Sequence, residues 1–416
     1  MSDGRGTGMA ARLVAPAAVR RLVAEEVTWP LQVGATPDGR PYRTLAAVVE
    51  DGDAPICYVV VPVDERGLVE ESVLRAALAE SPCITTPPAH PRPDPRPRHP
   101  VSVVVSTCGD PLSVVRCVSS FLADDEADIE VIVVENRPAG STTRAALSEC
   151  FQDDPRIQVV DEPRRGSSHA RNRGLGEAGG ELVAFLDGDV VCGPSWLETI
   201  RAAVGADPEI GMVAGPILPL TLDSATQVAL ERFASDGKGF ERATFTLRNR
   251  PEDPLFPHGL AAFGSGATIA LRSDTAARLG GFDPVLGAGS PCRGGEDLDL
   301  VLRALQLGLT IAYEPGVVVW HDHPAGWAPL HRQAFGSGTG LGATLAKHLL
   351  EGTDRRGLLR RVPGGIAHLV DPGSRRNAGK GAGYPRRLDV LQRAGMAFGP
   401  FAFVWSRLVG AGRATR

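Results

Sequence analysis

At Leu182-Val183-Ala184-Phe185-Leu186-Asp187-Gly188-Asp189 an apolar run stops at two carboxylates one small residue apart. Where a buried strand meets a loop, such a pair can converge on one hard divalent cation that also takes phosphate oxygens. The same residues also suit an ordinary polar turn. A second acidic cluster lies at Gly294-Gly295-Glu296-Asp297-Leu298-Asp299-Leu300, where paired glycines allow close approach and an apolar helix begins beyond the acids. The helix dipole favours acids in a first turn by about 0.3–1 kcal/mol, which accounts for Asp299 without chemistry. A third group is His321-Asp322-His323-Pro324, after the apolar run 317–320. If that strand continued, both imidazoles would share one face, so spacing alone does not choose between His321 and His323 as a ligand. A polar surface turn is the alternative reading.

Such groups need elements that bring them together. Val101-Ser102-Val103-Val104-Val105 reads as a buried strand, followed by the loop Ser106-Thr107-Cys108-Gly109-Asp110-Pro111. An amphipathic segment over 112–122 precedes a strand at 129–134 that ends in Glu135-Asn136, and 142–151 has a helical pattern. A strand at 157–160, a helix at 168–178 and a strand at 182–186 continue the alternation. The class is α/β, with a mostly parallel sheet covered on both faces and ligands beyond the carboxyl ends of its strands. Thr107, Glu135 and Asp187 all lie at such ends.

The order of motifs over 100–345 resembles the family 2 glycosyltransferases of GT-A fold. The pieces that carry the resemblance are Val101 to Thr107, Val131-Ile132-Val133-Val134-Glu135-Asn136, Gly166-Ser167-Ser168-His169-Ala170-Arg171-Asn172-Arg173-Gly174 and Asp187-Gly188-Asp189. Phe263-Gly264-Ser265-Gly266-Ala267, Leu279-Gly280-Gly281-Phe282-Asp283 and the Glu296-Asp297 cluster complete it. The resemblance implies a Rossmann-like, nucleotide-binding half joined to an acceptor-binding half. It implies transfer of a sugar from a nucleotide-sugar donor, with UDP the expected nucleotide, to a hydroxyl of a glycan, glycolipid or specialised metabolite.

That reaction needs a Lewis acid on the leaving diphosphate and a base for the acceptor's proton. By resemblance, Asp189 is the direct ligand of Mn2+ or Mg2+, Asp187 lies nearer the ribose beside it, and His321 is the third ligand. Asp297 is the base, with Glu296 next to it. Thr107 is assigned to the base or ribose, and Glu135 to a ribose hydroxyl or base N–H, where many family members have Asp. Arg171 and Asn172 belong to a Gly- and Ser-rich loop that opens a helix, where backbone N–H groups and a guanidinium suit a diphosphate. Residues 263–267 and Trp196 shape the sugar and acceptor side, although Trp196 also reads as core. A single displacement with one base implies inversion at the anomeric carbon. Two other readings are a GT-A-like protein that binds without turnover, which would not need Asp297, and a sugar nucleotidyltransferase, which would release pyrophosphate.

With 416 residues, 43% of them hydrophobic, the chain can fill two or three cores. We divide it into an α+β unit over 1–83, a Pro-rich linker over 84–99, the catalytic domain over 100–325 and a helical region over 326–416. Strands are expected near 45–49 and 56–61, and helices near 70–79 and 330–350, the last interrupted by Gly336, Gly338, Gly340 and Gly342. A net charge of -5 gives no general attraction to nucleic acid. Seven scattered cysteines without metal spacing read as reduced thiols, with Cys108 packed. The start lacks a secretory signal pattern, so a cytoplasmic setting is expected. Basic residues at 355–361 and 386–387, with an apolar stretch at 396–409 containing Arg407, suit docking on the catalytic domain or peripheral contact with the inner face of a membrane rather than spanning.

Overall fold

A computed structural model describes residues 12–23, 26–52, 54–81, 99–123, 128–233, 239–249, 256–258, 266–352, 354–371, 374, 377, 380–381 and 383–414. The expected linker, except for its end at 99, and residues 263–265 lie outside these. In the first unit, β1 (Ala17–Val23) runs parallel to β3 (Thr44–Asp51), which pairs antiparallel with β4 (Ala54–Pro62). A two-stranded ribbon, β2 (Leu31–Gln32) with β5 (Leu68–Val69), and helix α1 (Glu71–Glu80) accompany this sheet. Leu22, Leu45, Val49, Val59, Val61 and Leu74 fill its core. The unit is fastened to the rest of the molecule. Leu13, Ala17, Ala46 and Val60 pack with Leu222 and Val228, and Val48 packs with Leu218, Val318 and Trp320.

The parallel half follows the expected alternation. Its elements are β6 (Val101–Thr107), α2 (Pro111–Ser119), β7 (Ile129–Glu135), α3 (Thr143–Phe151), β8 (Ile157–Asp161), α4 (Ser167–Glu177) and β9 (Leu182–Asp187). Next come β10 (Val190–Cys192), α5 (Trp196–Ala206), β11 (Ile210–Ala214), β12 (Ile217–Pro219), α6 (Ala225–Phe233) and β13 (Ala243–Phe245). The chain then forms β14 (Thr268–Arg272), α7 (Ser273–Leu279), α8 (Glu296–Gln306), β15 (Thr310–Tyr313) and β16 (Val319–His321). One eight-stranded sheet has the order β13-β15-β11-β14-β9-β6-β7-β8, with β13 and β14 antiparallel to their neighbours. Alternate residues of each strand enter opposite cores: Val101, Val103 and Val105 face one, Val104 the other. Register aligns Thr107 with Glu135 and Ser106 with Asp187, so these strand ends form one rim. A small sheet, β10-β16-β12, continues beyond Asp189 and brings the His321 strand against it.

Three helices close the chain: α9 (Trp327–Glu351), α10 (Arg355–Val370) and α11 (Arg387–Ala414). The glycines of α9 do not interrupt it. A Cβ on Gly338 would strike the backbone carbonyl of Gln392, and one on Gly342 that of Met396, so the stripe lets α11 lie backbone to backbone on α9. Among the described residues no helix is long and apolar enough to cross a membrane.

Two cysteine expectations are corrected. Cys57 is disulfide-bonded, because pairing depends on the Cα separation the fold creates, which scattered spacing does not disclose. Cys108 is an exposed free thiol on the loop after β6, not a packed one.

Candidate functional site

Asp187 ends β9, and Asp189 begins the next turn. Between them Gly188 is closely surrounded: a Cβ there would lie 3.1–3.3 Å from Val114, Thr107 and the Ser106 carbonyl, tighter than ordinary contact. β16 is antiparallel to β10, with His321 opposite Val190, and this brings the imidazole beside the turn. Asp187, Asp189 and His321 each offer one ligand atom, and these atoms lie within 4.8 Å of one another. His321 Nε2 is 3.3 Å from Asp189 Oδ1. Burial opposes ionisation of Asp189, but His321 outweighs it and holds the carboxyl below its usual value. At Asp187 burial wins over Arg171, and the value is raised. Two carboxylates and one imidazole suit Mn2+, and Mg2+ equally if it keeps waters, with coordination positions left for diphosphate oxygens.

The histidine pair resolves into two environments. His323 Nδ1 faces His321 Nδ1 at 3.2 Å, and its Nε2 faces buried Glu231 of α6 at 3.9 Å. Gln227 of the same helix donates to the His323 carbonyl. The Tyr58 hydroxyl of β4, buried and without a hydrogen-bond partner among the described residues, lies within the field of Glu231. On the solvent side Arg116 of α2 pairs with Asp322 at 2.9 Å, and the Asp322 N–H donates to the Asp189 carbonyl.

Arg171 joins this cluster to the second acidic one. Nη2 donates to Asp187 Oδ1 (2.9 Å) and to the Gly266 carbonyl (3.1 Å), while Nη1 donates to Glu296 Oε1 (3.0 Å). The guanidinium also stacks over Phe282, 5.3 Å from the ring centre. Burial works against its charge and the surrounding carboxylates overcome this, so its pKa is raised. Glu296 also accepts from Ser167 Oγ at 2.7 Å. Among the described residues Asp297 next to it receives only backbone N–H groups, from Gly266 (2.9 Å) and Leu298 (2.8 Å). Burial, then the charge of Glu296, pushes its carboxyl up to about 6. Asp299 points the other way, fully buried among Arg303 (2.7 Å), Lys347 (2.7 Å) and His348 (3.1 Å). It is the anchor of α9 on α8. Gly295 adopts φ +90°, and a Cβ there would strike Thr344 and the Gly340 carbonyl, so the close approach the paired glycines permit is to α9.

The other expected residues hold the rim together. Glu135 is buried and receives Ser141 Oγ (2.5 Å), Thr143 Oγ1 (2.7 Å) and the Arg137 N–H (3.1 Å), which fixes the loop into α3. Asn172 clamps the backbone of Phe282 through both amide atoms, at 2.7 and 2.8 Å. The Thr107 carbonyl accepts from the Asn136 N–H, and its hydroxyl faces the turn at Gly109. Trp196 is core, with Nε1 donating to Thr268. Arg173 is a surface partner of Glu177. The bridge made by Arg171 and the support from Glu231 and Tyr58 were absent from the sequence reading. The partners that create them, Arg171 with Glu296, His323 with Glu231 and Tyr58 with Glu231, are far apart in sequence, and α6 lies in the region 217–257, where no pattern could be read.

Residues 102–252 match the family model described as Glycosyl transferase family 2. Pre-mycofactocin glycosyltransferase of Mycobacterium tuberculosis is 31% identical over 237 residues, covering 56% of this chain and 45% of that protein. Succinoglycan biosynthesis protein ExoO of Rhizobium meliloti is 30% identical over 220 residues, covering 52% of this chain and 58% of that protein. The chain thus spans about half the length of the curated relatives it matches. Among solved structures, mannosyltransferase PcManGT from Pyrobaculum calidifontis in complex with GDP-Man and Mn2+ aligns with a TM-score of 0.48 and 21% identity, over 78% of this chain and 90% of that one.

Proposed function

We propose that this chain, which belongs to glycosyl transferase family 2 and has the GT-A fold, moves a sugar from a nucleoside diphosphate to an acceptor hydroxyl with inversion at the anomeric carbon. The observation that carries this reading is the single guanidinium of Arg171 spanning Asp187 of the cation cluster and Glu296 of the acid pair. It sets a diphosphate-binding centre and a proton acceptor side by side. Within the acid pair the environments differ. Glu296 is paired with Arg171 and accepts from Ser167, whereas among the described residues Asp297 accepts backbone N–H groups and makes no ion pair, which leaves it to exchange a proton.

Asp297 therefore takes the proton of the acceptor hydroxyl as its oxygen bonds to the anomeric carbon. The bond from that carbon to the diphosphate breaks, and its electron pair leaves with the diphosphate. One displacement reverses the configuration. Asp187, Asp189 and His321 would hold the divalent cation, which when bound stabilises negative charge on the leaving diphosphate. His323, with Glu231 behind it, would orient His321 with Nε2 on the Asp189 side, the arrangement by which an outer shell fixes an imidazole ligand. Thr107 and the loop held by Glu135 form the nucleotide side. Asn172 acts through Phe282, whose ring supports Arg171. UDP is the first donor nucleotide to examine and GDP the second. A specialised metabolite is the first acceptor class, on the likeness to pre-mycofactocin glycosyltransferase.

The test is release of nucleoside diphosphate from a panel of nucleotide sugars with Mn2+ or with EDTA. Metal-dependent release, lost in Asp189→Ala and reduced roughly a hundredfold to ten-thousandfold in Asp297→Asn with donor binding kept, supports the reading. Pyrophosphate release would select a nucleotidyltransferase instead, and a product of retained configuration by NMR would remove the single displacement.

A further inference from the structure

We propose that α10 and α11 seat this protein flat on an anionic lipid surface. The α11 helix uses one side to dock on α9, burying Gly395, Gly399, Ala402, Phe403 and Ser406. Its other side is apolar and open to solvent: Val390 is 61% exposed, Phe401 63%, Trp405 54% and Leu408 65%. With Ala394, Ala397, Phe398 and Val404 these recur at three- and four-residue steps, forming one continuous stripe along the helix. On α10, Leu359, Ile366 and Val370 repeat the arrangement at half exposure or more. Soluble surfaces seldom leave apolar side chains contiguous on this scale.

Charge identifies the occupant. From Gly352 onward the chain has 13 Lys and Arg against three Asp and no Glu, whereas the preceding residues have 31 against 46. Exposed Arg355, Arg356 and Arg360 begin α10, Arg386 and Arg387 begin α11, and Arg393 and Arg407 flank its stripe. A second copy meeting this face would bring two net-positive patches together, because an isologous contact uses the same patch on both subunits. An anionic headgroup layer above acyl chains matches both features, with arginines at the phosphates and Phe401, Trp405 and Leu408 below them. No described helix is able to span a bilayer, so the helices lie in the interface.

Flotation of the full chain with phosphatidylcholine vesicles, with and without phosphatidylglycerol, tests this. Binding to the anionic vesicles, weakened by salt, is expected. The double variant Phe401→Ser/Trp405→Ser should reduce it at least about tenfold. Arg386→Glu/Arg387→Glu should remove the preference for anionic lipid. These side chains are exposed and are not among the candidate site residues, so unfolding midpoint and nucleoside diphosphate release should stay at the wild-type level in both. Failure to float, equal binding to neutral vesicles, or a dimer in sedimentation that the Phe401/Trp405 variant dissociates would each overturn the proposal. None of these outcomes depends on the catalytic reading.

Discussion

Replacing Arg171 by Met should unfold the apo protein more readily before it affects any ligand. The side chain is 4% exposed and lies against Glu296, 9% exposed, and Asp187, 34% exposed. Met fills the stem's volume but leaves Glu296 buried without its cation. Breaking such a pair from one side costs about 3–5 kcal/mol. The larger share falls on Glu296, the more buried of the two carboxylates. A change of this size lowers the unfolding midpoint by roughly 5–15 °C in a domain of this scale. Glu296→Gln in the same background removes the stranded charge and should recover about 1–3 kcal/mol, the usual coupling between touching groups. Urea and thermal unfolding without nucleotide or metal measure both. Mn2+ should stabilise Arg171→Met more than wild type, because a cation then relieves Asp187. If Arg171→Met unfolds within about 0.5 kcal/mol of wild type, as a surface change would, and only donor affinity falls, Arg171 is a ligand contact and the bridge is incidental.

Two further expectations concern the groups on either side of that bridge. Glu231→Gln and His323→Ala touch none of the three candidate ligands' coordinating atoms directed at the cation, yet each should weaken Mn2+ binding about 10–100-fold, read by electron paramagnetic resonance titration; unchanged affinity would confine both to packing. The Asp297 carboxyl, raised to about 6 by burial and then by Glu296, should give kcat/KM an acidic limb that rises through that pH and is absent in Asp297→Asn. The linkage follows the same shift: an unfolded Asp titrates near 3.9, so between about pH 4 and pH 6 the native state holds the extra proton, stability falls by about 3 kcal/mol as pH rises, and Asp297→Asn should flatten that slope.

The parallel half was legible because each strand is a short β-branched run stopped by a loop, and β6, β7, β8 and β9 lie within a residue or two of their expected bounds. Asp187 with Asp189, and Glu296 with Asp297, stood out for the same reason: acids at the end of an apolar run need an explanation. What pattern did not disclose is how these groups are divided among partners. Arg171 was read as a diphosphate contact from its place at a helix start, and only the fold shows its two Nη groups donating to Asp187, Glu296 and the Gly266 carbonyl. Glu135 likewise faces Ser141 and Thr143, partners its strand-end position could not name. β14 was missed because an antiparallel insertion leaves no trace in the alternation of a parallel sheet. The α9 glycines looked like breaks because a close-packed partner helix lies some fifty residues away, and helix propensity says nothing of it.

The regions outside the parallel half gain a physical role from where their charges end. On one side Tyr58 of the first unit lies behind Glu231, which lies behind His323 and then His321. On the other, Lys347 of α9 joins Asp283 at 2.5 Å and Asp299 at 2.7 Å, so one ammonium ties the loop before the acid pair to the helix that begins with it. His348 adds a second hold on Asp299. A buried carboxylate with three cationic or imidazole partners is costly to disturb from any side, so α8 cannot shift without α9. Asp297, at the start of α8, inherits that rigidity through the backbone, while among the described residues its own carboxylate accepts backbone N–H groups and makes no ion pair. Cationic partners are concentrated on Asp299 to hold the helix, and on the proposed mechanism that division would let one acid fix position while its neighbour two residues earlier exchanges a proton.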